Sequence, residues 1–248
     1  MENALLIGLS RQMILHREID VVANNIANLN TSGFKGDGAI FEEYLMPGAR
    51  EGQFAGRDSR VSFVQDRSTW HDMSQGPLHQ TGSPLDVAVD GNAFLVVETP
   101  RGERYTRNGA FQINSNGELV TSEGHKVLGD AGPIVFQSQD KDINFSREGT
   151  IGVPGGTRGK LRLVSFANPQ RLQKDGSSTF SAPNGVQPEP AQNVVVTQGA
   201  LEKSNVQGVI EMTRMIEITR SYTQIAGLLQ QQGDMRRNAI ERLADVPA

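Results

Sequence analysis

Both ends of this chain carry an apolar stripe at helical spacing, and a single helix cannot bury such a stripe against itself. Residues 199–248 read as one long helix in which Met212, Met215, Thr219, Tyr222, Ala226, Leu229, Ile240 and Leu243 fall on one face. That spacing is a seam for another helix. Val209, Ile216, Ile225 and Leu228 widen the stripe, and Ser204 with Gln207 matches a capping box at its start. Glu211 with Arg214 and Glu217 with Arg220 are spaced for ion pairs along the surface, and Pro247 lies just past the end. At the other terminus Leu15, Ile19, Val22, Ile26 and Leu29 repeat in steps of four and three, with Leu5 and Leu9 extending the face upstream. Asn28, Asn30, Thr31, Ser32 and Gly33 then bring cap-prone residues that end the helix.

The middle of the chain has the opposite character. From Gly33 to Gly199 lie 23 of the 27 glycines, and 10 of the 11 prolines fall between Pro47 and Pro190. Residues 34–80 read as an extended linker region, with a short strand at Arg60 to Val64. Residues 81–198 read as a β-rich domain. Leu85, Val87 and Val89 alternate with polar or small residues, Asp90-Gly91 supplies a turn, and Ala93 to Glu98 is almost continuously apolar, which is a hairpin signature. Short strands then recur at about ten-residue spacing, the pattern of an antiparallel meander. The fold class expected is α+β: long N- and C-terminal helices, residues 1–33 and 199–248, pairing as a coiled coil, with a central antiparallel β-rich domain.

Several functional classes fit poorly. A net charge of -4 with scattered cations leaves no basic footprint for nucleic acid. No apolar run is long enough for direct membrane insertion, and the opening Met1-Glu2-Asn3 lacks the features of a cleavable signal. The chain has no cysteine, hence no disulfide, zinc-thiolate site or thiol nucleophile. Asp140, Asp142 and Asn144 begin like a calcium loop, but Phe145 and Ile151 stand where that loop needs Gly and Glu. His71 and His79 read as solvated polar residues rather than metal ligands, His16 and His125 have no paired nucleophile, and no Gly-x-Ser-x-Gly occurs. Trp70 reads as a packing residue. No catalytic, metal or cofactor-binding residue is expected. A monomeric β-domain binding module remains as an alternative, and the two helical termini argue against it.

Four blocks stand in order along the chain: Ala23-Asn24-Asn25-Ile26-Ala27-Asn28 with Thr31, Gly33, Phe34 and Lys35; Thr81-Gly82 with Leu85 to Val89 and Gly91; Tyr105-Thr106-Arg107-Asn108-Gly109 with Phe111 through Leu128; and Gly199 to Val206. Together they resemble the flagellar basal-body rod and hook family. Residues 133–192 carry no such signature. The resemblance implies a structural subunit of the rod, needed for motility, whose partners are other rod subunits, copies of itself and the flagellar type III export apparatus. It implies that the helices form an inner tube with the β domain outside. Within the family, the length and the opening Met1 to Leu5 look most like a proximal rod subunit, with the distal rod as the alternative.

The resemblance and the stripes together name an assembly interface: Leu15, Ile19, Val22, Asn24, Asn25, Ile26, Asn28, Met212, Met215, Tyr222, Ile225, Leu229 and Leu243. Asn24, Asn25 and Asn28 are expected to bond across the helix seam and fix its register. Two expectations follow for the free chain. Either the terminal segments order only on polymerisation, or the two helices already pair within one chain.

Overall fold

The computed structural model describes residues 2–45, 62–140, 142–176 and 178–244, and side chains within these except at residues 2–6, 41–45, 62–68, 243 and 244. The reading of 46–61 as linker, and the expectations placed on Val246 and Pro247, lie outside the described residues, as does the side chain of Leu243. The chain is α+β and divides into two units. One comprises Met1–Ile26, Asp37–Trp70 and Gly208–Ala248; the other comprises Ala27–Gly36 and His71–Gln207.

The first unit holds α1 (Glu2–Ala27), the strands β1 (Asp37–Leu45) and β2 (Ser62–His71), which pair with each other, and α2 (Gly208–Ala244). Within one chain α1 and α2 pack together: Leu15, Val22 and Ile218 are buried, with Ile19, Ile26, Met215, Tyr222 and Ile225 packed around them. Arg214 donates to the Glu18 carboxylate at 2.8 Å, so its partner lies on α1 rather than at Glu211.

The second unit is the β body. Its strands are β3 (Leu78–Gln80), β4 (Val87–Asp90), β5 (Phe94–Thr99), β6 (Gly102–Thr106), β7 (Phe111–Ile113), β8 (Leu119–Thr121), β9 (Lys126–Gly129), β10 (Gly132–Pro133), β11 (Asn144–Phe145) and β12 (Thr150–Val153). They continue with β13 (Gly156–Lys160), β14 (Leu163–Ser165), β15 (Gln173–Lys174), β16 (Thr179–Ser181), β17 (Glu189–Pro190), β18 (Val195–Gln198) and β19 (Ala200–Glu202). The main sheet runs β15-β16-β6-β5-β9-β8-β7, so the β5–β6 hairpin meets the β7–β8–β9 meander where β5 pairs with β9. β5 explains its own sequence. Leu95 and Val97 enter one apolar core with Phe111, Leu119 and Ile151, whereas Phe94 and Val96 enter a second with Tyr105, Phe166 and Phe180. A strand buried on both faces reads as a continuous apolar run.

Three expectations need correction. Asp90-Gly91 does turn the chain, with Gly91 at φ +105, but β4 does not pair with β5. β4 pairs antiparallel with β18, more than a hundred residues away, and on its other side the Val87 amide donates to the Gly109 carbonyl at 3.0 Å. The C-terminal helix starts at Gly208, not Ser204. Ala200–Glu202 is instead strand β19 on β3, and the Ser204 hydroxyl accepts from the Val206 amide at 3.2 Å, so the capping box is not formed. His71, read as solvated, is buried with its ring edge-on to Phe180 at 6.0 Å.

Candidate functional site

Two arrangements stand out, one in each unit. The first is the helix seam. On α1 the residues Leu15, Ile19, Val22 and Ile26 repeat four, three, four; on α2 Met215, Ile218, Tyr222 and Ile225 repeat three, four, three. Leu229 continues the seam and lies on Gly8, where an added Cβ would come within 2.6 Å of it. Of the expected interface residues, Leu15, Ile19, Val22, Ile26, Met215, Tyr222 and Ile225 come together here. Ile218, the most buried of the α2 residues, was missed because the stripe drawn through Met212 and Thr219 is rotated away from the true contact line. Met212 is exposed.

Asn25 and Asn28 bond to the chain that follows α1. Asn25, only 2 % exposed, donates from Nδ2 to the Asp37 carbonyl and accepts from the Asp37 amide, both at 2.8 Å. Its side-chain amide thus acts as one rung of a strand ladder and holds the start of β1. Asn28 accepts from the Thr31 hydroxyl at 3.1 Å in the turn after α1, and Asn24 is exposed on α1. The Asn25–Asp37 and Asn28–Thr31 bonds lie off the helix seam.

The second arrangement is a buried charge cluster in the β body. Lys35, Arg107 and Glu202 are all nearly inaccessible, at 0 %, 2 % and 1 %. Lys35 Nζ donates to Glu202 Oε1 at 2.5 Å and to the Ser74 carbonyl at 2.6 Å. Arg107 Nη1 donates to Glu202 Oε2 at 3.3 Å and to the Val89 carbonyl at 3.1 Å, and its Nη2 donates to the Gly91 carbonyl at 2.6 Å. The Gly76 amide completes the shell of Glu202 Oε1 at 2.9 Å. Burial pushes the pKa of both Lys35 and Arg107 down, and the Glu202 carboxylate opposes that shift in each. A buried ion set of this kind adds little net stability, yet losing one member strands the others.

Local backbone geometry brings the cluster together. Gly33 has φ +69 and its amide donates to the Glu202 carbonyl at 2.7 Å; an added Cβ there would overlap the Asn108 amide. The glycine of the first block is therefore pressed against the third block and bonded to the fourth. Sequence reasoning missed Lys35, Arg107 and Glu202 as a site, although each stood inside a block it had singled out.

Three family patterns match the chain. "Flagella basal body rod protein" covers residues 5–35, "Flagellar hook protein FlgE/F/G D1 domain" covers 88–153, and "Flagellar basal body rod FlgEFG protein C-terminal" covers 197–242. The flagellar basal-body rod protein FlgF of Caulobacter vibrioides is 38% identical over 247 residues, covering 99% of this chain and 100% of that one. The chain belongs to the flagellar basal-body rod family. FlgF of Mesorhizobium japonicum is 35% identical with 98% of each chain covered, and a FlgG of Buchnera aphidicola (strain Bp) is 34% identical over 87% of this chain and 88% of its own. As a rod-family member the protein is a structural subunit of the flagellar basal body. Lys35, Arg107 and Glu202 lie one in each of the three matched stretches, so the family pattern and the buried cluster coincide.

Proposed function

We propose that this chain is a proximal rod subunit that polymerises with copies of itself and with other rod subunits through its terminal helices. The observation that carries this reading is a second apolar stripe on α2. Val209, Met212 and Ile216 are 81%, 55% and 61% exposed, spaced three and four apart, on the side of α2 away from Ile218. Thr219 and Thr223 continue the spacing, and their hydroxyls are spent on the Met215 and Arg220 carbonyls at 2.7 Å and 2.8 Å. Such a face offers methyl groups without unsatisfied donors and suits the apolar stripe of another helix. A contact of this stripe with a different surface of the next subunit is head-to-tail and need not close, which is the geometry of a filament.

The proximal position rests on the family resemblance and on full-length similarity to FlgF chains. Passage through the flagellar export apparatus, the β body facing outward from a tube of helices, and the absence of any catalysed reaction belong to the same reading. Met212 lies on the open stripe offered to the next subunit, whereas Leu15, Ile19, Val22, Ile26, Met215, Tyr222, Ile225 and Leu229 pair α1 with α2 within each subunit and hold that stripe in place.

The test is Val209→Asp with Ile216→Asp in the full chain, in cells scored for swimming and for basal bodies by electron microscopy. Both positions are exposed, so the isolated protein should keep its helical circular dichroism. Secreted, folded protein with missing or truncated rods is the expected result. Normal rods and swimming would overturn the open stripe as an assembly face.

A further inference from the structure

The chain passes between its two units at four points, after Ile26, Gly36, Trp70 and Gln207. Within the β body the segments next to these points are bound to one another, and two side chains do most of the binding. Glu202 takes the Gly33 amide on its carbonyl and Lys35 and Gly76 on one carboxylate oxygen. Asn205 accepts from the Gly36 amide at 2.8 Å and donates to the Asp72 carbonyl at 2.8 Å and the Ser74 hydroxyl at 3.1 Å. The Asp72 amide in turn donates to the Gly36 carbonyl at 2.8 Å, and Lys203 to the Pro77 carbonyl at 3.0 Å. Glycine is required at Gly76, because a Cβ there would overlap the Lys203 carbonyl.

We infer that Lys35, Arg107, Glu202 and Asn205 form a clip that folds as part of the β body and fixes the spacing of all four exits from it, independently of whether α1 and α2 are paired. Arg107 joins the clip to the sheet through the Val89 and Gly91 carbonyls and stacks over the Phe94 ring at 5.1 Å. The clip therefore hangs on β4 and β5, the strands at the centre of the two cores, and not on the helices. Glu202 is a positioning residue here: from the segment before α2 it accepts from Gly33 and Lys35 after α1 and from Gly76 after β2. This inference goes beyond the assembly reading and stands or falls without it.

The experiment is amide hydrogen exchange on the intact chain. In Glu202→Gln the Gly36 and Gly76 amides should exchange about ten- to a hundredfold faster, while Leu119 and Phe136, bonded deep in the body, keep their rates. The triple variant Lys35→Met, Arg107→Met, Glu202→Leu removes the charge while keeping bulk, and should show the same local acceleration. Val22→Asp with Ile218→Asp breaks the helix seam and should leave Gly36 and Gly76 as slow as in the parent. Uniform acceleration of Leu119 and Phe136 with the others in Glu202→Gln would make the cluster an ordinary core element and overturn the inference. Slow exchange at Gly76 in the triple variant, or fast exchange there in the seam variant, would overturn it as well.

Discussion

The side-chain amide of Asn25 and the backbone of Asp37 exchange two hydrogen bonds of 2.8 Å each, so a helix residue supplies the first rung of a strand. Asn25→Ala leaves both Asp37 groups unpaired in a nearly dry setting, and should cost about 1 to 3 kcal/mol. Asn25→Asp loses the donor and sets a carboxylate oxygen against the Asp37 carbonyl in the same dry setting, so it should cost at least as much as Asn25→Ala. Urea unfolding of the three proteins checks the order, and an Asn25→Ala protein as stable as the parent would show that the pair contributes nothing.

Trp70, the only tryptophan of the chain, lies on Gly38, where an added Cβ would overlap its Nε1. Gly38→Ala should push the indole off β1 and shift its emission to longer wavelength. An unchanged spectrum would mean that the ring leaves this contact in solution.

Ile218 is the α2 residue most enclosed by α1, at 5 % exposure. Ile218→Ala should cost the first unit about 2 to 4 kcal/mol, measured as loss of helical circular dichroism on heating. Thr219→Ala, one position on and exposed, should change it little. Equal effects would place the seam where the sequence stripe had it.

Three carboxylates of the body are held below their usual range by hydrogen bonds from cations: Glu118 by Lys126, Asp140 by Arg158 and Asp175 by Arg104. A depressed pKa means that the unfolded chain takes up protons first, so the contribution is present at neutral pH. It is lost as the pH falls below the ordinary carboxylate range, about 4. The urea midpoint should therefore drop between pH 5 and pH 2, each value read to about half a unit, and Asp140→Asn should flatten part of that drop. A midpoint independent of acid would contradict the pairing.

The sequence exposed what depends on short-range period and concealed what depends on distant partners. Leu15, Ile19, Val22 and Ile26 could be placed on one face because helical spacing alone decides it. Ile218 was lost because a long helix with Val209, Met212, Met215, Ile216 and Ile218 is apolar nearly all round at its start, so several stripes fit equally well. The Asp90-Gly91 turn was visible, but not that β4 would choose β18, because alternation marks which face of a strand is buried and not which strand lies alongside it. Glu202 and Lys35 stand 167 positions apart. No local pattern pairs a lysine with a glutamate at that distance, and only the family blocks marked the two as belonging to something.

The order in which the cluster's members occur has a temporal consequence. A ribosome delivers Lys35 and Arg107 long before Glu202, and β4 long before β18. Until the last fifth of the chain emerges, two cations bound for the interior have no anion to meet, and a central strand lacks its mate. The body is thus a structure that a partial chain cannot close, and any machinery that handles the nascent or unfolded polypeptide has a window set by the arrival of residue 202.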